Sequence, residues 1–166
     1  MKKELPPATR NFLASAGDFR ITHEGDAETI WLANRTRKRV IHGIASTPTQ
    51  TKSHVRLSRG MMAELPVPLL WSHEGKRAAP IGEVFHVRKR PTEIYIRADL
   101  FDNEAADYAW KLVESGDFRC LSVGGGGRFH VQGVVDGITY YDQWELTEVS
   151  ICRKGANPDC YFEILK

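Results

Sequence analysis

The sequence predicts a mainly β fold with a few helices (an α+β class), built as a single closed or nearly closed β-barrel of about seven to eight strands. Short apolar runs are separated by glycine- and proline-containing turns, and only one long segment has strong helical periodicity. The 166 residues contain no internal repeat and no linker that would justify a second domain. A barrel is favoured because closure removes exposed strand edges.

The predicted strands follow one another with turn residues between them. Phe19 to Asn34 forms two strands joined at the turn-like cluster Glu24-Gly25-Asp26. The remaining predicted strands are Lys38–Ala45, Val67–His73, Ile81–Arg88, Glu93–Leu100, Phe118–Val131, Thr139–Tyr141 and Trp144–Cys152. Gly137 marks a hairpin that leads into the strand at 139–141.

One helix is predicted over residues 103–115. Asp102 or Asn103 can cap its start, and Gly116 can end it. Apolar residues recur within it at helical spacing, so one face of the helix is expected to pack against the sheet.

The domain organisation is simple. Residues 1–17 are polar, contain two prolines and are expected to form a flexible N-terminal arm, and 18–166 form the domain. Residues 46–65 are predicted to be a mobile flap, because no helical or strand period is sustained before Met61. Four of the five residues from Arg35 to Arg39 are basic, which predicts a solvated turn and strand edge.

Composition excludes several classes of protein. Basic residues number 23 and acidic residues 21, a net charge of +2, which argues against general nucleic-acid binding. No apolar run is long enough to span a bilayer, and the first ten residues lack the apolar segment of a secretory signal. The three cysteines are an odd number without Cys-x-x-Cys spacing, which argues against a disulfide framework and favours a reducing, intracellular compartment.

Three polar residues lie within apolar, strand-like runs and form the candidate site. They are His73, Ser122 and Glu148, the residue types with which a base activates a hydroxyl and an acid orients the base. Strand alternation places Ser122 on one face with Cys120 and Gly124, and Leu121 and Val123 on the other. If the fold brings the three residues together, the protein is a serine protease.

The last long strand makes a second prediction about the acid. Alternation puts Glu148 on one face with Trp144, Leu146 and Ser150. A carboxylate among apolar neighbours needs a partner because an unpaired buried charge is costly, and an imidazole is a suitable one. The simpler interpretation is a solvent-facing glutamate on an edge strand.

Several alternatives remain open from the residues alone. His73, Ser122 and Glu148 are also compatible with ordinary polar positions in a catalytically silent β-domain that binds assembly partners. A cysteine nucleophile is open because Cys120 shares the predicted face of Ser122. Metal binding is weakly supported, since the histidines are scattered and no His-Glu-x-x-His motif is present, and no metal or cofactor is expected.

The ordered set of motifs resembles the prohead maturation proteases of tailed bacteriophages, which are related in fold to the herpesvirus assembly proteases. The matching segments are Val40-Ile41-His42-Gly43-Ile44-Ala45, Leu65-Pro66-Val67-Pro68-Leu69-Leu70-Trp71-Ser72-His73, Pro80-Ile81-Gly82-Glu83-Val84, Leu121-Ser122-Val123-Gly124, Leu146-Thr147-Glu148-Val149-Ser150 and Gly155-Ala156-Asn157-Pro158. The resemblance runs from about Phe19 to the C-terminus and implies a herpesvirus-protease-like barrel.

The resemblance also implies roles. His73 would be the general base, Ser122 the nucleophile and Glu148 the group that orients the imidazole. Backbone N–H groups near Val123 and Gly124 would stabilise the oxyanion, and Arg153 would assist by analogy with the herpesvirus enzymes.

The same resemblance implies a biological setting. The expected substrates are the major capsid protein, the scaffold polypeptide and the protease itself, and a homodimer is expected by analogy. The expected location is the host cytoplasm, inside the assembling prohead, with neither a membrane nor a specific nucleic acid as partner.

Overall fold

The computed structural model describes residues 19–33, 35–49, 55–57, 61–72, 79–125 and 130–166. In these ranges the chain forms twelve strands and one helix. The strands are β1 Phe19–Glu24, β2 Ala27–Leu32, β3 Val40–Ser46, β4 Val55–Leu57, β5 Met61–Ala63, β6 Val67–Trp71, β7 Gly82–Lys89, β8 Ile94–Leu100, β9 Cys120–Gly125, β10 His130–Val135, β11 Ile138–Cys152 and β12 Phe162–Ile164, and the helix is α1 Glu104–Glu114. The protein is therefore mainly β, as the sequence predicts.

The helix begins and ends where the capping residues predict. The Asn103 side chain accepts a hydrogen bond from the backbone N–H of Ala106 at 2.9 Å, which satisfies one of the free donors of the first turn. Gly116 has a φ of 79°, a conformation that glycine adopts at little cost after a helix. Ala106, Ala109 and Val113 form its buried face.

Strand β11 organises the sheet. It pairs in parallel with β4, β5 and β6 along one side, and antiparallel with β9 and β10 along the other. From β6 the order continues through β7, β8 and β3 to β12, and β2 pairs with β7 and carries β1. Strand β11 thus connects β4, β5 and β6 on one side to β9 and β10 on the other.

One apolar core joins α1 to the inner face of this sheet. Its largest fully buried side chains include Trp144, Ile41, Met61, Leu65 and Leu69. Burial of such side chains supplies the main driving force for folding. Ser122 and Glu148 therefore lie on strands whose opposite face is held in this core.

Strand β9 and the segment that leads into β12 come together without forming a ladder. An isolated bridge joins Cys120, at the start of β9, to Tyr161, just before β12. The Phe162 N–H donates to the Arg119 carbonyl at 2.9 Å, and the Leu121 N–H donates to the Cys160 carbonyl at 3.4 Å. Within the described residues, the sheet is not closed by a continuous strand ladder.

One predicted boundary is wrong. Thr139–Tyr141 and Trp144–Cys152 were expected to be separate strands, but both lie within β11, which runs 15 residues without interruption. Of the predicted strand Phe118–Val131, the structure describes β9 and the first residues of β10, and both pair with β11. The intervening residues 126–129 lie outside the described part of the chain.

The segment predicted to be an irregular flap, 46–65, contains two short strands. Both β4 and β5 pair in parallel with β11, a long-range contact that the local sequence does not reveal. Residues 50–54 and 58–60 lie outside the described residues, as does the predicted N-terminal arm 1–17. No helix in the described ranges is long and apolar enough to cross a membrane.

The basic segment from Arg35 to Arg39 is not a solvated turn, so that prediction is wrong. Arg35 donates to both carboxylate oxygens of Asp99 and to Glu83 at 2.7–3.0 Å, and Arg37 donates to Asp99 at 2.9 Å. Asp99 is fully buried on β8 and needs such counter-charges. Burial lowers the pKa of Arg35, but its hydrogen bonds with the two carboxylates outweigh burial and raise that pKa overall.

Candidate active site

Ser122 and Glu148 lie on neighbouring antiparallel strands. Ser122 on β9 is directly opposite Ser150 on β11, and Glu148 is directly opposite Gly124. Residues that face each other across an antiparallel ladder project from the same side, and so do residues two apart in one strand. Ser122, Gly124, Glu148 and Ser150 therefore share one face, and the structure brings two of the three predicted catalytic residues together.

A β-bulge at Thr147 sets this arrangement. Leu146 pairs with Gly125 and Glu148 pairs with Gly124, so β11 has one extra residue between the two pairs. The hydroxyl of Thr147 donates to the Gly124 carbonyl at 3.2 Å. The prediction that Glu148 shares a face with Trp144 and Leu146 is therefore wrong, because the extra residue moves Glu148 to the opposite face.

Gly124 provides the space that the Glu148 side chain occupies. A Cβ atom built on Gly124 would lie 2.6 Å from the Glu148 carboxyl carbon, far inside ordinary contact distance. The side chain of Glu148 thus passes directly over the backbone of β9, two residues from Ser122. This contact explains why a glycine is needed at position 124, the first of the run 124–127. Gly126 and Gly127 lie outside the described residues.

Strand β6 approaches the same row from the other side of β11. Leu70 is opposite Ser150, and the Ser72 N–H donates to the Ile151 carbonyl at 3.0 Å. Ser72 has a φ of 51°, so the regular strand ends there. His73 is the next residue, and it falls in segment 73–78, outside the described part of the chain.

The site rests on a rigid apolar support. Leu121, Val149 and Ile151 are fully buried on the core side of the two strands. On the site side, Ser150 is fully buried, Ser122 has a relative solvent exposure of 9%, and Glu148 is half-buried. A serine and a carboxylate held on packed strands suit nucleophilic chemistry, which needs fixed positions for its groups.

The cysteine alternative has a defined position. Cys120 is opposite Cys152 and shares the face of Ser122, as predicted from alternation. Its thiol donates to the Arg153 carbonyl at 3.3 Å. Cys160 lies nearby and is buried, and burial, followed by the charge of Asp159, raises the pKa of its thiol to about 12. All three cysteines are free thiols.

The predicted oxyanion groups lie close to Ser122 in different ways. Val123 and Gly124 follow it directly on β9, and the Gly124 carbonyl is engaged by Thr147. Arg153 is exposed, and its guanidinium carbon lies 5.8 Å from the centre of the Phe118 ring. The roles of all three in oxyanion binding stay predictions.

Sequence reasoning assigned no role to the turn that follows β11, although it supports β9. A Cβ atom on Gly155 would lie 2.8 Å from the Leu121 carbonyl oxygen, so only glycine allows this close approach. The Asn157 amide donates to the Thr47 hydroxyl at 2.9 Å, and the Thr49 hydroxyl bonds Asp159. The Gly155-to-Pro158 motif marks this turn in the sequence, but it does not indicate that the turn packs against β9.

Within the described ranges, no group of three histidine, cysteine or acidic side chains is arranged to hold a metal ion. No protein-family model matches the chain, and no curated protein sequence matches it significantly. Evidence about function therefore comes from the geometry of the site and from the motifs.

Proposed function

We propose that the protein is a serine endopeptidase of the prohead-maturation type, which cleaves scaffold and capsid-protein extensions and itself. The observation that carries the proposal is the shared face of Ser122 and Glu148, fixed by the bulge at Thr147. The resemblance in the sequence motifs implies that Ser122 and Glu148 are close together. The register of β9 against β11 supports this independently, because it makes the two residues diagonal neighbours.

The spacing between the two residues suits an intervening imidazole. Diagonal neighbours across an antiparallel ladder have Cα atoms about 7–8 Å apart, which is too far for a direct hydrogen bond between short side chains. One imidazole ring can bridge such a gap, with one nitrogen toward the serine and the other toward the carboxylate. His73 is bonded to Ser72, which hydrogen-bonds to β11 at Ile151, three residues from Glu148.

The proposed mechanism is acyl transfer. His73 accepts the proton of the Ser122 hydroxyl as its oxygen attacks the peptide carbonyl, and the proton then passes to the leaving amine as the peptide bond breaks. Water hydrolyses the acyl-enzyme by the same route. Glu148 fixes the imidazole tautomer and stabilises the imidazolium, while N–H groups near Val123 and Gly124, assisted by Arg153, stabilise the oxyanion.

We also propose that the sheet is a nearly closed barrel of the herpesvirus-protease type. The contacts that support this are the bridge from Cys120 to Tyr161 and the two backbone hydrogen bonds beside it. They join β9 to the segment that enters β12. The proposed location is the host cytoplasm inside an assembling prohead, and the proposed assembly is a homodimer.

Co-expression with the neighbouring scaffold and capsid proteins tests the function. Wild type should shorten both partners and itself, and Ser122→Ala and His73→Ala should leave all three intact. Ser150→Ala should retain cleavage because the proposed mechanism gives Ser150 no chemical role. Absence of cleavage by wild type would instead support a silent assembly-binding domain, an alternative that the low exposure of Ser122 favours.

A further inference from the structure

A row of basic and aromatic residues crosses the outer face of the sheet, on strands other than β9 and β11. Arg20, Trp31, His86, Arg97 and His42 are successive register partners on β1, β2, β7, β8 and β3. The row spans four strand spacings of about 4.8 Å, or about 19 Å. We call these five residues the cross-strand row.

The row projects away from the core. The residues that flank it along the strands are buried: Ile30, Val87, Ile96 and Ile41. By alternation, the row members point to the opposite face. Arg20 is exposed and the other members are half-buried, so aromatic and cationic groups are presented together at the surface.

Tyr95 holds the centre of the row in place. Its hydroxyl accepts a hydrogen bond from Arg97 Nε at 3.1 Å and lies 3.0 Å from His42 Nδ1. The rings of His86 and Tyr95 meet edge to face with centroids 5.9 Å apart, and Trp31 and His86 lie 6.3 Å apart. These contacts fix the orientation of Arg97 through Nε, and its terminal nitrogens have no hydrogen-bond partner among the described residues.

Arg97 differs from Arg88 and Arg90, two other arginines on this face. Arg88 pairs with Glu24 at 2.9 Å, and Arg90 pairs with Glu93 at 2.5 Å. In the part of the chain that the structure describes, no carboxylate pairs with Arg97. A half-buried guanidinium that pairs with none of the described carboxylates is a good binding site for an oxyanion, because its planar fork donates to two oxygens at once.

The pKa of His86 is lowered by burial and in part by the positive charge of the neighbouring arginines. Burial, then the positive charges of Arg97 and Arg88, lower its pKa to about 4. The groups that face it are Arg88 on its own strand, Tyr95 and Arg97 on β8, and Trp31 on β2. The local environment is therefore cationic, and a bound anion would offset it.

We infer that the cross-strand row binds the phosphate group of a nucleotide, with Arg97 holding the phosphate and Trp31 and His86 providing a stacking surface for the base. Guanidinium groups recognise phosphate in a bidentate manner, and aromatic faces stack on bases without regard to sequence. An isolated carboxylate or inorganic phosphate would use Arg97 alone, so the adjoining rings favour a ligand with both an anion and an aromatic base.

The nucleotide unit has two sources, a free mononucleotide and a single-stranded nucleic acid. The 19 Å row is longer than one nucleotide and ends at exposed Arg20 on one side, whereas on the other side His42 is opposite the exposed Glu163 of β12. A strand would therefore extend from Arg97 toward Arg20. Near-neutral overall charge does not bear on this local site, which depends on one guanidinium that pairs with no carboxylate in the described ranges.

Fluorescence anisotropy with labelled ten-residue oligothymidylate tests the inference, using the Ser122→Ala protein to keep the chain intact. Competition by adenosine monophosphate and by inorganic phosphate distinguishes the sources and the need for a base. Arg97→Gln should weaken binding about tenfold and reduce the salt slope by about one. Trp31→Ala should weaken it at least about fivefold. Lys111→Gln, an equal charge change on α1, should match the parent within about twofold.

A side-chain readout protects the test against misfolded variants. Saturating ligand should raise the His86 pKa in an NMR titration, because the phosphate offsets the two arginines. The inference is overturned if oligothymidylate fails to bind at 50 mM salt, or if Arg97→Gln and Lys111→Gln weaken binding equally. It is also overturned if inorganic phosphate competes as well as the mononucleotide, or if the His86 pKa does not change.

Discussion

Replacing Gly124 by alanine displaces Glu148 without changing its charge. The added Cβ would lie 2.6 Å from the Glu148 carboxyl carbon, whereas ordinary carbon–carbon contacts begin at about 3.5 Å. The carboxyl carbon must therefore move by at least about 0.9 Å and the nearer Cγ by more, or β9 must move. A misplacement of about 1 Å in a catalytic group can lower a rate by about 10²-fold, and complete loss of a triad acid lowers it by about 10⁴-fold.

The assay is the rate at which a fluorophosphonate acylates the protein, with thermal melting to confirm folding. Gly124→Ala should react about 10²-fold more slowly than wild type and lose about 1–3 kcal/mol of stability through overpacking. Gly133→Ala is the matched control. Gly133 lies on β10, which pairs with β11 as β9 does, and a Cβ there meets nothing within 4 Å. This variant should keep the wild-type rate.

A double-mutant comparison separates displacement of Glu148 from other damage. Glu148→Ala removes the atoms that the new methyl group would meet, so adding Gly124→Ala to it should cause little further loss of rate. If folded Gly124→Ala reacts as fast as Gly133→Ala, the carboxylate does not assist Ser122. A further 10²-fold loss in the Glu148→Ala background would contradict the reasoning equally.

Four further predictions concern stability and thiol chemistry. Asp99→Asn should lower the free energy of unfolding in urea by about 3–5 kcal/mol, because it leaves Arg35 without its buried counter-charge; a loss under 1 kcal/mol would contradict this. Asn103→Ala should cost about 1 kcal/mol through loss of the helix cap, and Asn103→Ser should restore most of it. The raised pKa of Cys160 means that only the unfolded state ionises between pH 9 and about 12, so stability should fall there by up to about 1.4 kcal/mol per pH unit, and Cys160→Ala should reduce that slope. At pH 8, iodoacetamide should modify Cys120 faster than Cys160, and equal rates would contradict the burial argument.

Local signals predicted the elements that depend on short-range chemistry. The turn between β1 and β2 contains Gly25 with a φ of 57°, and the β10–β11 turn contains Asp136 and Gly137 with φ of 52° and 76°. Such positive φ values favour glycine and aspartate, which is why composition marks them. The cap at Asn103 follows from the same kind of side-chain chemistry.

Long-range pairing escaped the sequence because nothing local encodes it. β11 continues through Asp142 and Gln143, which the sequence prediction left between two strands, because β10 pairs beside them and β4 and β5 pair close by. The ion pairs from Arg35 to Asp99 join residues 64 apart, so the basic segment could not reveal its buried partner. In both cases tertiary contacts override local preference.

The candidate site was partly predictable. Alternation correctly placed Ser122 with Cys120 and Gly124, because β9 is regular there. It placed Glu148 on the wrong face because one bulged residue, Thr147, reverses the alternation of β11, and a bulge has no distinctive residue pattern here. The contact between Glu148 and Gly124, two residues from Ser122, could therefore be found only from the strand register in the structure.

The most direct measurement of the central claim is the site of the covalent fluorophosphonate adduct. Trypsin releases the segment Cys120–Arg128, in which Ser122 is the only serine, so tandem mass spectrometry can separate a serine adduct from a cysteine adduct. We predict an adduct on Ser122 that persists in Cys120→Ala and is lost in His73→Ala. An adduct on Cys120, or no adduct in the folded wild-type protein, would contradict the proposal that Ser122 is an activated nucleophile.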